Sequence, residues 1–518
     1  MPRVAPVWLL LCPCVIAAQT PASLQRAVNS ITAEDIRRRI AILADDSTRG
    51  RDTPSPELDK VAAWIASEFR RFGLKPGGGD GTYVQRFPIL QKQIDTTQTL
   101  MLVSQASGRS AAVHAGYELN LIQLGPPQPA RDVTGPVVLL PNSAEPASDP
   151  LAGVDVRGAW VAALTNRGGR GLGIDFHTAQ SALEAGAVGL IIISNRSDVE
   201  WRARVSGGYR VSVTLGEEPE TDLAPPPGVV ELRDQTAARA FGIDPATLRA
   251  AQRGSAQRLD GISVTLRVRE RVVSARSAPN VIGILEGSDP RLKNEYVFFT
   301  AHMDHLGVAS GEGSDCRARG ADSICNGADD DASGTAAVLE NAEAFSLLAP
   351  RPARSLVFMT VSGEEKGLWG SQYFTAHPTV PLSAVVAALN TDMVGRNWPD
   401  TIAAIGKEQS DLGATLDRVA AAHPELHLTP IGDIWPRESF YTRSDHYNFA
   451  RRGVPILFFF SGVHGDYHAV SDEVAKINAE KEARIVRLVF YVGLEVAMAA
   501  ARPRWDPASY KRVVEGAN

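Results

Sequence analysis

Apolar residues near the start of the chain recur at the spacing of a helix. Across residues 58–72, Val61, Ile65 and Phe69 follow one another at four-residue intervals. This spacing places them on one face of a helix and indicates that this face is buried. Residues 35–43 carry the same periodicity. The pattern therefore predicts two amphipathic helices in the first part of the chain.

Residues 116–275 show a different pattern, in which short apolar runs alternate with turns rich in proline and glycine. Runs of this length between turn residues are typical of strands. One helical segment, at residues 176–185, lies among them. The pattern predicts a small β-rich domain inserted into the chain. Its strands are expected at residues 137–140, 160–164, 190–193, 228–232 and 262–268.

Beyond Pro279, strand-like and helical segments alternate. The strands are continuous apolar runs, which indicates burial on both faces; they are expected at residues 281–285, 296–300, 356–361, 384–389 and 454–460. Helical patterns separate several of them, at residues 334–345, 410–422 and 480–500. This alternation predicts an α/β fold, a mostly parallel central sheet sandwiched by helices. Functional sites in such folds form at the carboxyl ends of the strands.

Composition excludes some classes of partner and leaves others open. The length of 518 residues is too great for one compact core and predicts two or three domains. A formal net charge of −6, without long basic runs, argues against nucleic acid as the main partner. No run after the N-terminus is long and apolar enough to cross a bilayer, so no membrane span is predicted.

Residues 1–18 have the organisation of a secretory signal peptide. Arg3 supplies the positive charge, residues 7–16 are mostly apolar, and Ala17 and Ala18 offer a small-residue cleavage site. A disordered or buried N-terminus is the alternative. Cleavage near Ala18 would place the mature chain outside the cytoplasm, either secreted or periplasmic.

The chain has four cysteines, and signal cleavage would remove two of them. The remaining pair, Cys316 and Cys325, encloses a short loop. Such a pair in an oxidising compartment predicts a disulfide, and two free thiols are the alternative. A zinc site built on this pair is disfavoured, because no second pair of cysteines or histidines lies at zinc-finger spacing.

Three predicted strands of the second half lead into chemically active side chains. His302 and Asp304 follow the first, Glu364 and Glu365 the second, and Asp392 the third. A metal-bound imidazole commonly donates its other N–H to a carboxylate, and Asp304 is placed for that role. Of two adjacent glutamates, one can bind a metal while the other takes a proton from a water molecule.

Two further residues complete the set of donors. Asp330 lies in a run of three aspartates before the helix predicted at residues 334–345, and His468 follows the strand predicted at residues 454–460. Taken alone, Asp330 could equally cap that helix, because aspartate in the first turn complements the helix dipole. Together these nitrogen and oxygen donors, expected at one sheet edge, form a set suited to zinc.

In combination, the motifs resemble those of the dizinc exopeptidases of peptidase clan MH, which include aminopeptidase Y and secreted leucyl aminopeptidases. The resemblance covers roughly residues 30–115 and 275–500. Residues 155–158 and 185–189 of the inserted segment resemble a protease-associated domain. The motifs, in the family's order, are H-x-D from residue 302, D-D-D-A-S-G from 329, G-E-E-x-G from 363, T-D-M from 391 and Y-H-A-V-S-D-E from 467.

This resemblance implies two zinc ions held by five side chains. His302 and Asp392 would share one ion, Glu365 and His468 would share the other, and Asp330 would bridge both. The family also often has a cis peptide bond directly after the bridging aspartate. Two zinc ions in such a site polarise the scissile carbonyl and activate a shared water molecule.

The resemblance also implies roles for residues beside the metals. Glu364 takes the place of the general base, and Asp304 stands behind His302. Tyr467 and Arg443 resemble residues that stabilise the tetrahedral intermediate or bind the substrate. These four side chains are the candidate catalytic residues.

The implied function is that of a secreted zinc-dependent exopeptidase, most simply an aminopeptidase that releases N-terminal residues from peptides. A carboxypeptidase or dipeptidase of the same fold is the alternative, because Arg443 could hold a substrate carboxylate. A non-catalytic relative that keeps the fold for binding is a second alternative. The preferred side chain, the oligomeric state and the role of the insert stay open.

The expected domain order follows from these patterns. A signal peptide at residues 1–18 precedes the first part of a peptidase domain at residues 19–115. A protease-associated insert at residues 116–275 separates this part from the second, at residues 276–505, which carries the site. A C-terminal tail is expected at residues 506–518.

Overall fold

The chain divides into two compact units, which are described separately. Unit 1 comprises Met1–Phe87 and Ser277–Asn518, and unit 2 comprises Pro88–Arg276. The computed structural model describes residues 20–122, 131–140, 151, 153–165, 176–209, 211–216, 228–244, 246–247, 256–309 and 315–516. The predicted signal peptide therefore lies outside the described residues.

The strands within this part of the chain are numbered in chain order. They are β1 (Lys75–Pro76), β2 (Val84–Ile94), β3 (Leu100–Gln105), β4 (Ser110–His114), β5 (Leu119–Ile122), β6 (Arg131–Leu139), β7 (Trp160–Thr165), β8 (Gly189–Ser194), β9 (Ser212–Leu215), β10 (Gly228–Arg233), β11 (Gln257–Val268), β12 (Glu270–Leu285), β13 (Tyr296–His302), β14 (Ser355–Val361), β15 (Val385–Asp392), β16 (Thr401–Ile405), β17 (Thr429–Ile431) and β18 (Ile456–Phe460).

The helices agree with the predicted ones to within a few residues where both exist. The α-helices are Pro21–Ser30, Ala33–Leu43, Pro56–Arg71, Phe176–Glu184, Asp198–Gly208, Asp234–Phe241, Gly334–Ser346, Trp369–Ala376, Leu412–Ala422, His446–Ala450, Ala479–Met498 and Pro507–Tyr510. Short helical turns are Asp46–Arg51, Leu292–Asn294, Ala328–Ser333, Leu382–Ala384, Pro424–Leu426, Phe440–Thr442, Val474–Lys476 and Lys511–Glu515.

Unit 1 is built on one sheet with the strand order β17-β16-β18-β15-β13-β14-β12-β2, and β1 pairs with β12. The four central strands, β18, β15, β13 and β14, run parallel to one another. β12 and β16 flank them and run antiparallel to β14 and β18. The predicted α/β fold with a mostly parallel central sheet is thereby confirmed.

Alternate side chains of the central strand β13 enter two different cores. Phe298 packs against Phe374 and Phe449, with ring centroids 5.5 and 5.4 Å away. Phe299 faces the other side of the sheet and packs against Phe345 at 5.3 Å. Because successive residues of a strand point to opposite faces, a continuous apolar run indicates helices on both sides. This explains why these strands lack an alternating pattern.

The longest helix, Ala479–Met498, approaches the sheet closely at a glycine. A Cβ atom on Gly493 would overlap the ring of Phe299. That ring also stacks on Phe358, with centroids 5.1 Å apart, so it has little room to move. Glycine in a helix costs about 1 kcal/mol relative to alanine, and here the close packing offsets that cost.

We expect Gly493→Ala to lower the free energy of unfolding by about 1–3 kcal/mol, because the added methyl group overpacks the core. Urea unfolding followed by circular dichroism measures the change. The Phe299→Leu variant is the control background, since it removes the ring that the methyl group would meet. An equal loss in both backgrounds would show that packing against Phe299 is not the cause.

Unit 2 contains a sheet with the strand order β4-β3-β11-β6-β7-β8-β10-β5. Strands β6, β7, β8 and β10 are parallel neighbours. The β-rich insert was expected to begin at residue 116, with residues 88–115 in the peptidase domain. Instead, β3 pairs with β11 and β4 pairs with β3, so residues 100–114 belong to the sheet of unit 2, and unit 2 as a whole begins at Pro88.

Unit 2 is inserted between two neighbouring strands of unit 1. β2 and β12 lie side by side in its sheet. Ile282 N donates to the carbonyl of Tyr83 at 2.7 Å, and Arg86 Nη1 donates to Ser277 Oγ at 3.4 Å. The segments of unit 1 that lead into and out of the insert therefore meet in one ladder.

Three other predictions concern the termini, the cysteines and the membrane. Cys316 and Cys325 form the predicted disulfide, with Cα atoms 5.8 Å apart. The expected C-terminal tail is partly packed, since Val513 is 8% exposed and joins the core cluster that contains Phe298. Within the described residues, none of the helices combines the length and apolar character that a membrane crossing requires.

Candidate metal centre

Parallel strands bring the predicted donors to one edge of the sheet of unit 1. β13 ends at His302 and β15 ends at Asp392. β14 ends at Val361, and Glu364 and Glu365 follow within the next few residues. All parallel strands end at the same edge of a sheet, so side chains distant in sequence meet there. These donors line one recess, described below.

Asp330 lies between the two histidines of the predicted ligand set. Its Oδ1 is 3.3 Å from His302 Nε2, and its Oδ2 is 3.3 Å from His468 Nε2. The Asp330–Asp331 peptide bond is cis, as the resemblance implied. Asp472 Oδ2 accepts a hydrogen bond from the Asp330 backbone N–H at 3.1 Å. Asp330 is thus within reach of both histidines, and its bridging of two metal ions stays a prediction.

The other two predicted carboxylate ligands each lie near one of these histidines. Asp392 Oδ2 is 3.7 Å from His302 Nε2, and it accepts a hydrogen bond from Ser444 Oγ at 2.8 Å. Glu365 Oε2 is 3.2 Å from His468 Nε2. His302, Asp330 and Asp392 each offer a ligand atom within 4.8 Å of the others. The structure thus forms two donor sets that share one aspartate.

The separations within these sets fit ligands of a shared metal ion. Donors bound to tetrahedral zinc at about 2.0–2.1 Å lie about 3.3 Å from one another. The His302–Asp330, His468–Asp330 and His468–Glu365 separations, at 3.2–3.3 Å, are close to that value. Asp330 Oδ2 is buried and has no hydrogen-bond partner among the described residues. A buried carboxylate oxygen without a partner is costly, and a bound cation would offset that cost.

The electrostatics of the cluster also favour a cation. Burial lowers the pKa of His302, but the carboxylates of Glu364, Asp331 and Asp392 outweigh this effect and hold its pKa well above the usual value. Burial also lowers the pKa of His468, but the carboxylates of Asp330 and Glu365 outweigh this effect and raise the pKa to about 10. A metal ligand must be a neutral imidazole, so a divalent ion would displace these protons.

His305 is a member of the site that the predicted ligand set omitted. Its ring Nδ1 is hydrogen-bonded to Glu365 Oε1 at 2.7 Å and lies 3.8 Å from Asp330 Oδ2. His305, Asp330 and Glu365 form a second group of donors whose atoms lie within 4.8 Å of one another. The hydrogen bond turns the other oxygen of Glu365 towards His468. The closeness of His305 to His302 in the sequence was the available signal.

Glu364, the predicted general base, lies beside the first donor set. Its Oε2 is 3.9 Å from His302 Nε2, and its backbone N–H donates to Asp304 Oδ1 at 3.4 Å. Burial and the carboxylates of Glu365 and Asp392 raise the pKa of Glu364 well above the usual value, against the opposing effect of His302. A raised pKa suits a group that must take up a proton near neutral pH and release it again.

Asp304 lies behind His302, but its nearest contact there is made by the backbone. His302 Nδ1 is 3.2 Å from the Asp304 carbonyl oxygen and 3.6 Å from its carboxylate. Thr53 Oγ1 donates to Asp304 Oδ2 at 2.8 Å. Asp304 therefore orients the imidazole through its carbonyl, while its carboxylate holds the loops that carry Thr53 and Glu364.

Tyr467 and Arg443 occupy different parts of the site. The Tyr467 ring stacks on His468 with centroids 3.8 Å apart. Burial and the carboxylates of Asp330 and Glu365 raise the pKa of Tyr467, so its hydroxyl stays protonated. The Arg443 side chain is 45% exposed, and its guanidinium lies over the Phe440 ring at 4.9 Å. Tyr467 therefore lies beside the predicted ligand His468, and Arg443 lies at the rim.

We call the cavity at this edge the metal recess. Its polar side is formed by the five predicted ligands and Glu364, and its other side is mostly apolar. The residues that line the metal recess are His302, Asp330, Glu364, Glu365, Asp392, Met393, Phe440, Arg443, Ser444, Phe458, Phe460, Val463, Tyr467 and His468. The sequence-predicted residues thus meet in one place, with Asp304 behind them.

Arg51 holds the loops beneath the metal recess, and sequence reasoning did not identify it. Its side chain is completely buried. Nε donates to the Met303 carbonyl at 2.9 Å, and Nη1 donates to the carbonyls of Leu43 at 2.9 Å and Asn326 at 2.5 Å. Nη2 donates to the Gly327 carbonyl at 3.0 Å. One guanidinium thereby ties the N-terminal loop to the loops that carry two predicted ligands.

Comparisons with known proteins agree with this site. Residues 280–493 match the model of peptidase family M28. A probable leucine aminopeptidase of Trichophyton verrucosum is 27% identical over 235 residues, 43% of this chain and 58% of its own. Leupeptin-inactivating enzyme 1 of Streptomyces exfoliatus is 28% identical over 225 residues, 42% of this chain and 43% of its own. The chain thus spans roughly half the length of these relatives.

Solved structures with similar chains include two aminopeptidases. One, from Aneurinibacillus sp. strain AM-1, is 22% identical with a TM-score of 0.49 and covers 93% of this chain and 97% of its own. A zinc aminopeptidase from Bacillus subtilis is 19% identical with a TM-score of 0.46. The match covers 89% of this chain and 94% of its own. The residues that match the model of peptidase family M28, 280–493, thus include both donor sets.

Proposed function

We propose that this protein is a zinc-dependent exopeptidase, most simply an aminopeptidase that removes the first residue of a peptide. The observation that carries the proposal is the position of Asp330 between two histidine and carboxylate sets, at separations that fit shared metal ions. The curated relatives named as leucine aminopeptidases support the same choice.

The proposed ligands divide into two sets. His302 and Asp392 would hold one zinc ion, Glu365 and His468 the other, and Asp330 would contact both. When bound, the ions would polarise the scissile carbonyl and lower the pKa of a bound water molecule.

The chain itself would manage the proton. Glu364 would take a proton from the attacking water on its carboxylate, for which its raised pKa suits it. The same carboxyl group would then give that proton to the departing amine nitrogen, so that the peptide C–N bond breaks and a neutral amine leaves. Tyr467 keeps its hydroxyl proton and would donate it in a hydrogen bond to the developing oxyanion.

The apolar side of the metal recess would receive the side chain of the first residue. Met393, Phe440, Phe458 and Phe460 line it and pack together in one apolar cluster, with Arg443 at its rim. Burial of a large aliphatic side chain against such a surface stabilises the complex by about 1.5–3 kcal/mol. We therefore expect leucine-like first residues to be favoured over charged ones.

Arg443 supports an alternative activity. Its exposed guanidinium at the rim could pair with a substrate carboxylate, as a carboxypeptidase or dipeptidase would require. A binding protein without catalysis is the remaining alternative, although it would have no need for Glu364 beside the donor sets.

We also propose that the mature chain acts outside the cytoplasm. Residues 1–18 would be a signal peptide removed near Ala18, and the disulfide between Cys316 and Cys325 agrees with an oxidising compartment. The insert, which the structure describes as Pro88–Arg276, would be a protease-associated domain.

The proposal predicts that the purified protein hydrolyses leucine p-nitroanilide. The N-acetylated analogue should react at least about 100-fold more slowly. A zinc chelator should abolish the activity, and added Zn²⁺ should restore it. Release of p-nitroaniline measures both results.

The matched substrates separate the alternatives. Preferential hydrolysis of an N-blocked dipeptide would favour the carboxypeptidase. Hydrolysis that survives complete removal of the metal would contradict the proposed mechanism. Bound zinc without hydrolysis of any of these substrates would favour the binding protein.

A further inference from the structure

A second recess lies directly beside the metal recess. It is lined by Asn397, Trp398, Trp435, Gly462 and Val463. Val463 also lines the metal recess, so one side chain forms a wall of both. A ligand that fills the metal recess and extends past Val463 would therefore enter the second recess next.

An aromatic surface connects the two recesses. The rings of Trp398 and Trp435 are stacked, with centroids 5.8 Å apart and planes 18° apart. Trp435 meets Phe440 and Phe460 edge-on, at 5.5 and 5.6 Å. Both phenylalanines line the metal recess. A chain of aromatic contacts thus runs from the apolar side of the metal recess to the second recess.

The second recess is held in shape by its own hydrogen bonds. Asn397 Nδ2 donates to the carbonyls of Ser461 at 2.8 Å, Gly462 at 2.9 Å and Val463 at 3.3 Å. Gly462 has a φ of +83°, and a Cβ atom there would lie 2.7 Å from Trp435 Cζ2. Glycine at this position therefore allows the indole to pack against the backbone. A surface shaped before binding loses less entropy when a ligand arrives.

The surface is also open to solvent. Trp398 and Trp435 are only partly buried, and Val463 and Ile434 are 46% and 52% exposed. Aromatic side chains bury large apolar areas when they bind a partner of similar character. Two stacked indoles with two exposed aliphatic neighbours therefore suit an aromatic or large aliphatic group.

We propose that the second recess binds the side chain of the second residue of the substrate, and that it selects aromatic or large aliphatic residues there. This inference rests on the proposed aminopeptidase function. An aminopeptidase substrate has a single residue before the scissile bond, and the metal recess takes that residue. We therefore assign the surface beyond Val463 to the part of the peptide that follows the bond.

The test compares two tripeptides that differ only in the second residue, Leu-Phe-Gly and Leu-Gly-Gly. We expect kcat/KM of the unaltered protein to be about tenfold higher for Leu-Phe-Gly than for Leu-Gly-Gly. A tenfold difference is what one buried apolar group typically contributes in a specificity pocket. Trp398→Ala should bring this ratio close to one, and Trp398→Phe should keep most of it. Because the ratio comes from one preparation, loss of folded protein does not affect it.

Trp64→Ala is the matched control, since Trp64 is also partly buried but lies on helix Pro56–Arg71 and lines neither recess. Its ratio should equal that of the unaltered protein. A ratio near one in the unaltered protein, or an unchanged ratio in Trp398→Ala, would overturn the assignment of this recess.

Leucinamide, which has no second residue, distinguishes the two proposals. Hydrolysis of leucinamide without any preference between the tripeptides would overturn only the second recess. Failure to hydrolyse leucinamide and both tripeptides would overturn the aminopeptidase function, and the proposed subsite with it.

Discussion

Replacement of Glu364 by glutamine is expected to lower kcat about 1000-fold while zinc stays bound, because a positioned general base contributes about 100- to 10,000-fold. Glutamine has the same shape but cannot take up the proton of the attacking water. The five predicted ligands do not include Glu364, so the metal content should stay the same. Hydrolysis of leucinamide and plasma emission spectroscopy of the same preparation measure the two quantities.

Glu425→Gln is the matched control for this variant. Glu425 is an exposed carboxylate that is hydrogen-bonded to His423 and lines neither recess, so its replacement should change neither rate nor metal content. An unchanged rate in Glu364→Gln would remove Glu364 from the proposed role. Loss of zinc in Glu364→Gln would instead identify Glu364 as a ligand.

Replacement of Arg51 by methionine is expected to destabilise unit 1 and to weaken zinc binding. Four backbone carbonyls would lose their buried donor, which should lower the free energy of unfolding by about 3–5 kcal/mol. Two of these carbonyls belong to Met303 and Gly327, close to the predicted ligands His302 and Asp330. Loss of a partner that orients metal ligands typically lowers metal affinity about 10- to 100-fold.

Arg39→Met separates general instability from loss of positioning. Arg39 is also completely buried, and its Nη1 pairs with Glu340 Oε1 at 2.9 Å, but it contacts none of the predicted ligands. Both variants should lose stability in urea unfolding. In folded protein, Arg51→Met should lose its zinc at a lower concentration of a competing chelator than the unaltered protein does. Arg39→Met should lose its zinc at the same chelator concentration as the unaltered protein.

An equal zinc affinity in the Arg39→Met and Arg51→Met variants would show that Arg51 acts only on stability. Arg51→Lys provides an intermediate case, because an ammonium group keeps the charge but cannot make the forked set of hydrogen bonds. We expect its zinc affinity to lie between those of the unaltered protein and Arg51→Met.

The sequence predicted the central sheet and the position of the donors well, for a physical reason. Strands buried on both faces are continuous apolar runs, and the polar residue that ends such a run marks the edge of the sheet. His302 and Asp392 are the last residues of β13 and β15. Glu365 and His468 follow the ends of β14 and β18.

Other features were beyond sequence reasoning because their contacts are made through the backbone or across long separations. Arg51 binds carbonyl oxygens, which every residue has, so no side-chain pattern marks its partners. The start of the insert was misplaced because β3 pairs with β11, which lies far along the chain. The contacts of His305 with Glu365 and Asp330 likewise join residues that lie far apart in the sequence.

The ladder between β2 and β12 has a consequence for how this chain could be rebuilt. If unit 2 were removed, the two ends to be joined would be Phe87 and Ser277. They already lie on the adjacent strands β2 and β12, so a short connection is enough. A tight hairpin of the asparagine-glycine type could replace the entire excursion between them, while every predicted ligand stays on the shortened chain. Unit 1, with all the predicted ligands, could thus be produced as a separate, smaller polypeptide.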